Sequence, residues 1–134
     1  MSFNWIEYLD LAKELKKDTE NNKNIIEAKT RTTISRAYYF AFNFVKNYLI
    51  STGEEFSKTA KVHREVIEKL RDIAEKEVNS DKRKKLIETA TNLGKLRNFR
   101  NRADYDNIFI KTNKFACDAI KSAEKIELTI KSIN

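Results

Sequence analysis

Proline is absent from the 134-residue chain, and glycine occurs only at Gly53 and Gly94. These are the residues that stop helices and turn strands. Their scarcity argues against a sandwich of short strands, which needs turn residues every ten or so positions, and predicts long helices. A single cysteine, Cys117, excludes an internal disulfide. One histidine, His63, beside that one cysteine is too few ligands for a zinc site, so neither a metal nor a cofactor is predicted. No stretch approaches eighteen uncharged residues, which excludes a membrane-spanning helix. The first residues, Met-Ser-Phe-Asn-Trp-Ile-Glu, lack both a basic start and an apolar run, so no signal peptide is predicted. Together these absences predict a cytoplasmic protein in a reducing compartment.

What the chain has in excess is positive charge. Lys and Arg number 27 against 20 Asp and Glu, a net charge of +7. The excess is local. Residues 81–102 hold eight basic side chains (Lys82, Arg83, Lys84, Lys85, Lys95, Arg97, Arg100 and Arg102) and two acidic ones (Asp81 and Glu88), a net +6. Such a stripe raises the local concentration of phosphate-bearing partners; equally, it is what a solvated helix face looks like in a lysine-rich protein. The length suits one domain spanning residues 1–134, with no room for a second.

Hydrophobic periodicity predicts about five helices. Residues 4–17 place Ile6, Leu9, Ala12 and Leu15 at spacing three, and the polar stretch from Asp18 reads as a connector. Residues 24–50 form the second helix, about 40 Å long, ending near Gly53. Its stripe of Ile34, Tyr38, Ala41, Phe42, Val45 and Leu49 follows the helical period, while Phe40 and Phe44 project from another side. That helix is therefore either central or part of a dimer interface. A third helix over residues 60–78 has Ser57 or Thr59 as N-cap candidate, a fourth runs from Ser80 or Asp81 to about Ala103, and a fifth starts at Thr112. Short links make this an all-α, up-and-down antiparallel bundle.

The fourth helix changes chemistry partway. Leu86, Ala90 and Leu93 are followed on the same face by Arg97, Arg100 and Asp104, all within about 80° at 100° per residue. Guanidiniums stand where leucines would have packed. Two readings stand: Asp104, one turn beyond Arg100, neutralises it as an intrahelical ion pair; or the arginines line a cleft that receives phosphate, whose oxygens the guanidinium fork fits. Asn101 and Tyr105 flank this strip and reach a ribose or base in the second reading. His63 has no neighbouring nucleophile in sequence and reads first as a capping or packing residue, with a catalytic role as the alternative. Cys117 reads as a small hydrophobe.

Three segments carry a family resemblance. Ser35-Arg36-Ala37-Tyr38-Tyr39-Phe40-Ala41-Phe42, the short basic segment Lys61-Val62-His63-Arg64, and Leu96 through Asp106 with its Arg100 and Ala103-Asp104-Tyr105 resemble, in order and spacing, the signatures of small stand-alone HEPN proteins, the higher eukaryote and prokaryote nucleotide-binding domain. The resemblance covers roughly residues 5–130. It implies a helical bundle that commonly forms a homodimer and a cleft at the Arg-Asn end of helix four. It also implies RNA or nucleotide as ligand, a toxin-antitoxin or defence setting, and in some relatives a nucleotidyltransferase-type antitoxin as partner. Many relatives are metal-independent ribonucleases that follow an Arg-Asn pair with a histidine. Here Arg100 and Asn101 match the first half, but Tyr105 stands in the histidine's place. An unperturbed tyrosine titrates near pH 10 and is a poor base for activating a ribose 2′-hydroxyl. The reading favoured is therefore binding of RNA or nucleotide through Arg97, Arg100, Arg102, Asp104 and the run Lys82, Arg83, Lys84 and Lys85. The alternatives are an endoribonuclease using Arg100, Asn101, Tyr105 and His63, and a non-catalytic interaction module.

Overall fold

The computed structural model describes residues 3–21 and 25–133. Five helices follow one another: α1 (Ile6–Asn21), α2 (Ile26–Ser51), α3 (Val62–Lys76), α4 (Ser80–Tyr105) and α5 (Thr112–Lys131). No strand occurs among the described residues. The expected all-α bundle is the fold.

α2 is central, packed against α1, α4 and α5, whereas α3 rests chiefly on α4. The reason lies in α2's side chains. Ile34, Tyr38, Ala41, Val45 and Leu49 are fully enclosed on one side, and Phe40 is buried on another, so the helix needs cover from more than one direction. Burying each large apolar side chain contributes roughly 1.5–3 kcal/mol. Phe44 is half-buried, and with Trp5, Phe40, Tyr48 and Ile130 it lines an apolar groove of about 620 Å³ between α1, α2 and α5.

The helix ends depart from expectation in instructive places. α1 continues through Asp18 to Asn21 because Thr19 turns its hydroxyl back onto the Lys16 carbonyl (2.6 Å) and Asp18 pairs with Lys29 of α2 at 2.6 Å. The expected start of the second helix at residue 24 lies outside the described residues. α3 ends at Lys76, two residues early, where Glu77 turns extended. Its N-cap position is Lys61, without a side-chain cap; Thr59 instead accepts from the Lys61 and Val62 amides, and Glu65 accepts from the Ser57 amide. α4 is capped by Asn79, not by Ser80 or Asp81: the Asn79 side-chain oxygen accepts from the Lys82 amide at 2.9 Å. Thr112 is the first residue of α5, and its hydroxyl contacts the Phe109 carbonyl and Glu27.

One side chain ties α2 to the end of α4. Arg31 of α2 donates to the carbonyls of Ala103 (3.0 Å) and Asp106 (2.5 Å) at the end of α4, and pairs with Glu27 at 2.9 Å. Those carbonyls have no partner within their own helix, and a cation suits the negative end of the helix dipole. The C-terminal turn of α4 is thereby held against α2, which sets the position of Arg100 and Asp104.

Candidate functional site

α4 delivers its arginines where the face changes chemistry. Leu86, Ala90 and Leu93 are buried; Arg97, on the same face, is half-buried, and Arg100 is only 6 % exposed. The Arg100 guanidinium lies 5.0 Å from the Tyr38 ring centre and 5.4 Å from that of Tyr39, in the range where a cation is attracted to an aromatic face. Its carboxylate partner is distant: Arg100 Nη1 to Asp104 Oδ2 is 3.9 Å, and the same oxygen accepts from Ser35 Oγ at 3.4 Å. Arg97 has no carboxylate within ion-pair distance among the described residues. The Nε atoms of both Arg97 and Arg100 are buried without a hydrogen-bond partner. A buried donor left unmade costs about 1–3 kcal/mol, and more when it is charged.

α3 adds His63 to this cluster. Tyr38 Oη and His63 Nδ1 are hydrogen-bonded at 2.6 Å, and the imidazole stacks on Phe42 with ring centres 4.4 Å apart. Burial, followed by the nearby charges of Arg100, Arg97 and Lys46, pushes the His63 pKa down to about 4. Burial pushes the Tyr38 phenol up to about 12, against the opposing pull of Arg100 and Arg97. Both groups are therefore uncharged near neutrality, and the hydrogen bond joins two neutral partners.

The aromatic wall continues along α2. Arg36 sits between Tyr8 (4.8 Å) and Tyr39 (5.2 Å), and Lys46 lies 5.7 Å from the Phe42 ring centre. Tyr39 thus lies within 5.4 Å of two guanidiniums, Arg36 and Arg100.

The structure brings together Arg97, Arg100, Asp104 and His63. Other predicted residues lie elsewhere. Arg102 is two residues from Arg100, about 200° around the helix, and stacks on Phe109 (4.4 Å) and Phe115 (5.3 Å) while facing Asp106 at 3.7 Å. Asn101 is half-buried, and Tyr105 is 73 % exposed beyond it. The run from Lys82 to Lys85 begins α4, about 24 Å along the helix axis from Arg100. Lys82 pairs with Glu77 (3.5 Å), Lys85 with Asp81 (3.1 Å), and Arg83 donates to the Glu77 carbonyl (2.9 Å), leaving Lys84 exposed. Lys82 and Arg83 thus tie the start of α4 to Glu77 in the α3–α4 connection, and the run stands apart along the helix from Arg97 and Arg100. Periodicity alone did not single out Tyr39, Arg36 or Lys46 for the site. A signal was present: Arg36, Tyr39, Asn43 and Lys46 recur at i, i+3, i+7 and i+10, a polar and aromatic stripe beside the core stripe.

Among the described residues, no group of three His, Cys, Asp or Glu side chains converges as a metal site, and no helix is long and apolar enough to cross a membrane. The family model described as HEPN domain matches residues 7–133, nearly the whole chain. The chain belongs to the HEPN domain family. No curated protein and no solved structure matches it. In this HEPN domain the three signature segments meet in space: the Tyr38-Tyr39 pair of α2, His63 at the start of α3 and Arg100 with Asp104 at the end of α4 form one cluster.

Proposed function

We propose that this HEPN domain binds a phosphate-bearing ligand, RNA or a nucleotide, through Arg97 and Arg100, in the cleft walled by Tyr38, Tyr39 and His63. The observation that carries the reading is the pair of buried guanidinium Nε atoms without a partner. An ion pair kept for stability would satisfy its own donors; the single carboxylate in reach, Asp104, stands 3.9 Å away. A phosphate group accepts from guanidinium forks and repays the desolvation that Asp104 leaves uncompensated. Affinity for labelled RNA, followed by fluorescence anisotropy, falls steeply with added salt and falls again in Arg100→Gln; salt-independent affinity, or an unchanged Arg100→Gln, contradicts the proposal.

A second reading, a metal-independent endoribonuclease, draws on the 2.6 Å bond between Tyr38 and His63 beside Arg100. Arg100 would stabilise the developing charge on phosphorus. A histidine pushed down to about 4 takes up a proton weakly at neutral pH, so cleavage by this route is slow. Labelled RNA incubated with chelator and wild-type protein, against Arg100→Gln, tests it; intact RNA in both samples removes it.

The setting in a toxin-antitoxin or defence system, a homodimer, and a nucleotidyltransferase-type antitoxin belong to the proposal through the family resemblance. Sedimentation tests the dimer, and co-purification tests the antitoxin.

A further inference from the structure

The apolar groove between α1, α2 and α5 shares no residue with the arginine cleft. Its walls include Phe3, Trp5, Phe40, Phe44, Tyr48 and Ile130. Phe3 is 46 % exposed, and Trp5, Phe44 and Tyr48 are half-buried, so aromatic surface is left facing solvent. On α2 the apolar lining recurs at i, i+4 and i+8 (Phe40, Phe44 and Tyr48), about 12 Å along the axis or two helical turns. Phe3 also belongs to a second hollow, about 400 Å³, that continues along α1 past Glu7, Asp10, Leu11 and Glu14. Those four side chains share one face of α1 at helical spacing, and all are exposed. The ion pairs of α1 among the described residues use Lys13, Lys16, Asp18 and Glu20, and leave Glu7, Asp10 and Glu14 out. The two hollows are thus lined by four carboxylates, Glu7, Asp10, Glu14 and Glu127, against one cation, Lys131, which pairs with Glu127 at 3.3 Å. The net charge there is −3, on a chain that is +7 as a whole.

From this arrangement we propose that the groove and the acidic stripe beside it dock a basic amphipathic helix of a partner protein. Its apolar side chains fill the groove, and its lysines or arginines lie over Glu7, Asp10 and Glu14. Recognition of a helix in a groove uses apolar anchors at i, i+3, i+4 and i+7, a span that a groove two turns long accepts. Complementary charge steers the segment to the surface and fixes its orientation. Charge also argues against other occupants. Nucleic acids and anionic membranes carry the same sign as the stripe. A second copy pairing the same face about a two-fold axis places both acidic stripes in one interface, which like-charge repulsion opposes. The proposal concerns a different face from the Arg97 and Arg100 site and does not depend on what that site binds.

The test uses the full chain and three synthetic peptides of about four helical turns, none containing tryptophan. The first repeats the heptad Leu-Lys-Lys-Leu-Leu-Lys-Lys, the second is a scrambled isomer without an apolar face, and the third carries glutamate in place of lysine. Calorimetry measures affinity, and the fluorescence of Trp5, the single tryptophan and part of the groove wall, locates the peptide. The first peptide shifts the Trp5 emission and binds at least about tenfold more tightly than its scrambled isomer, and the glutamate peptide does not bind. Glu7→Gln/Asp10→Asn/Glu14→Gln, three changes at exposed positions, lowers that affinity at least about tenfold and flattens its salt dependence. Phe3→Ala lowers it as well, and Arg100→Gln leaves it unchanged. Circular dichroism of each variant confirms the fold. Equal affinity for the basic peptide and its scrambled isomer overturns the proposal, as does no binding of either, affinity unchanged in the triple variant, or binding that leaves Trp5 emission unmoved. RNA affinity that falls in the triple variant reassigns the surface to nucleic acid. A wild type that sediments as a dimer while Phe3→Ala sediments as a monomer reassigns it to a second copy.

Discussion

Replacing Arg100 by methionine separates a residue kept for stability from one kept for a ligand. Methionine has similar length and no charge. The side chain of Arg100 is 8 % exposed, so its charge is almost entirely removed from water. On the favourable side stand the faces of Tyr38 and Tyr39, together worth about 1–2 kcal/mol, and an ion pair at 3.9 Å worth less than about 1 kcal/mol. Against them stand the unpartnered Nε, costing about 1–3 kcal/mol, and a desolvation penalty of several kcal/mol. The balance is unfavourable to the arginine. Without ligand, Arg100→Met is more stable than wild type by about 1–2 kcal/mol, within the range seen when buried ion pairs are exchanged for apolar residues. Thermal unfolding followed by circular dichroism shows this as a rise of about 3–6 °C. The same variant loses RNA affinity. A variant less stable than wild type by about 3 kcal/mol or more would instead identify Arg100 as one half of a structural ion pair, since that is the cost of breaking a buried pair that holds the fold.

Three further predictions concern the scaffold. Arg31→Ala, which frees the carbonyls of Ala103 and Asp106, costs about 2 kcal/mol in urea unfolding and loosens the end of α4; an unchanged midpoint contradicts the anchoring role. Asn79→Ala removes the α4 cap and costs about 1 kcal/mol, while Ser80→Ala and Asp81→Ala each cost less. The pH profile follows from the cleft. His63 has its folded pKa lowered from 6.5 to about 4, so its contribution is present above pH 6.5 and is lost as pH falls through 4, on the order of 1–2 kcal/mol after discounting for its partial exposure; His63→Asn flattens that limb. Tyr38, raised from 10.0 to about 12, contributes fully below pH 10 and loses that contribution as pH rises through 12; Tyr38→Phe flattens that limb.

The bundle was legible because its core residues obey one rule. Ile34, Tyr38, Ala41, Val45 and Leu49 recur at the helical period, and all are buried. The change of face on α4 was legible for the same reason: Arg97 and Arg100 occupy positions that Leu86, Ala90 and Leu93 predict to be apolar. Helix ends were harder. Thr19 and Asp18 are as polar as a connector, and only their contacts with Lys16 and Lys29 keep them helical. Asn79, Ser80 and Asp81 all qualify as caps by residue type, and the backbone path decides which side chain reaches the Lys82 amide. Contacts between distant segments leave no local periodic signal. Arg31 reaches carbonyls more than seventy residues away, and Tyr39 meets Arg36 and Arg100 from two helices. The basic run at Lys82 to Lys85 was legible as charge density, but its local contacts were not: Lys82 and Arg83 meet Glu77, and Lys85 meets Asp81.

The most direct measurement is heteronuclear NMR of the arginine Nε–H groups during titration with a single-stranded oligonucleotide, with Arg97→Lys and Arg100→Lys used to assign the signals. The Arg97 and Arg100 resonances are expected to move in proportion to bound ligand, while those of Arg31, whose Nε donates to Glu27, and Arg83, whose Nε donates to the Glu77 carbonyl, stay in place. Saturable binding with Arg97 and Arg100 unmoved would contradict it.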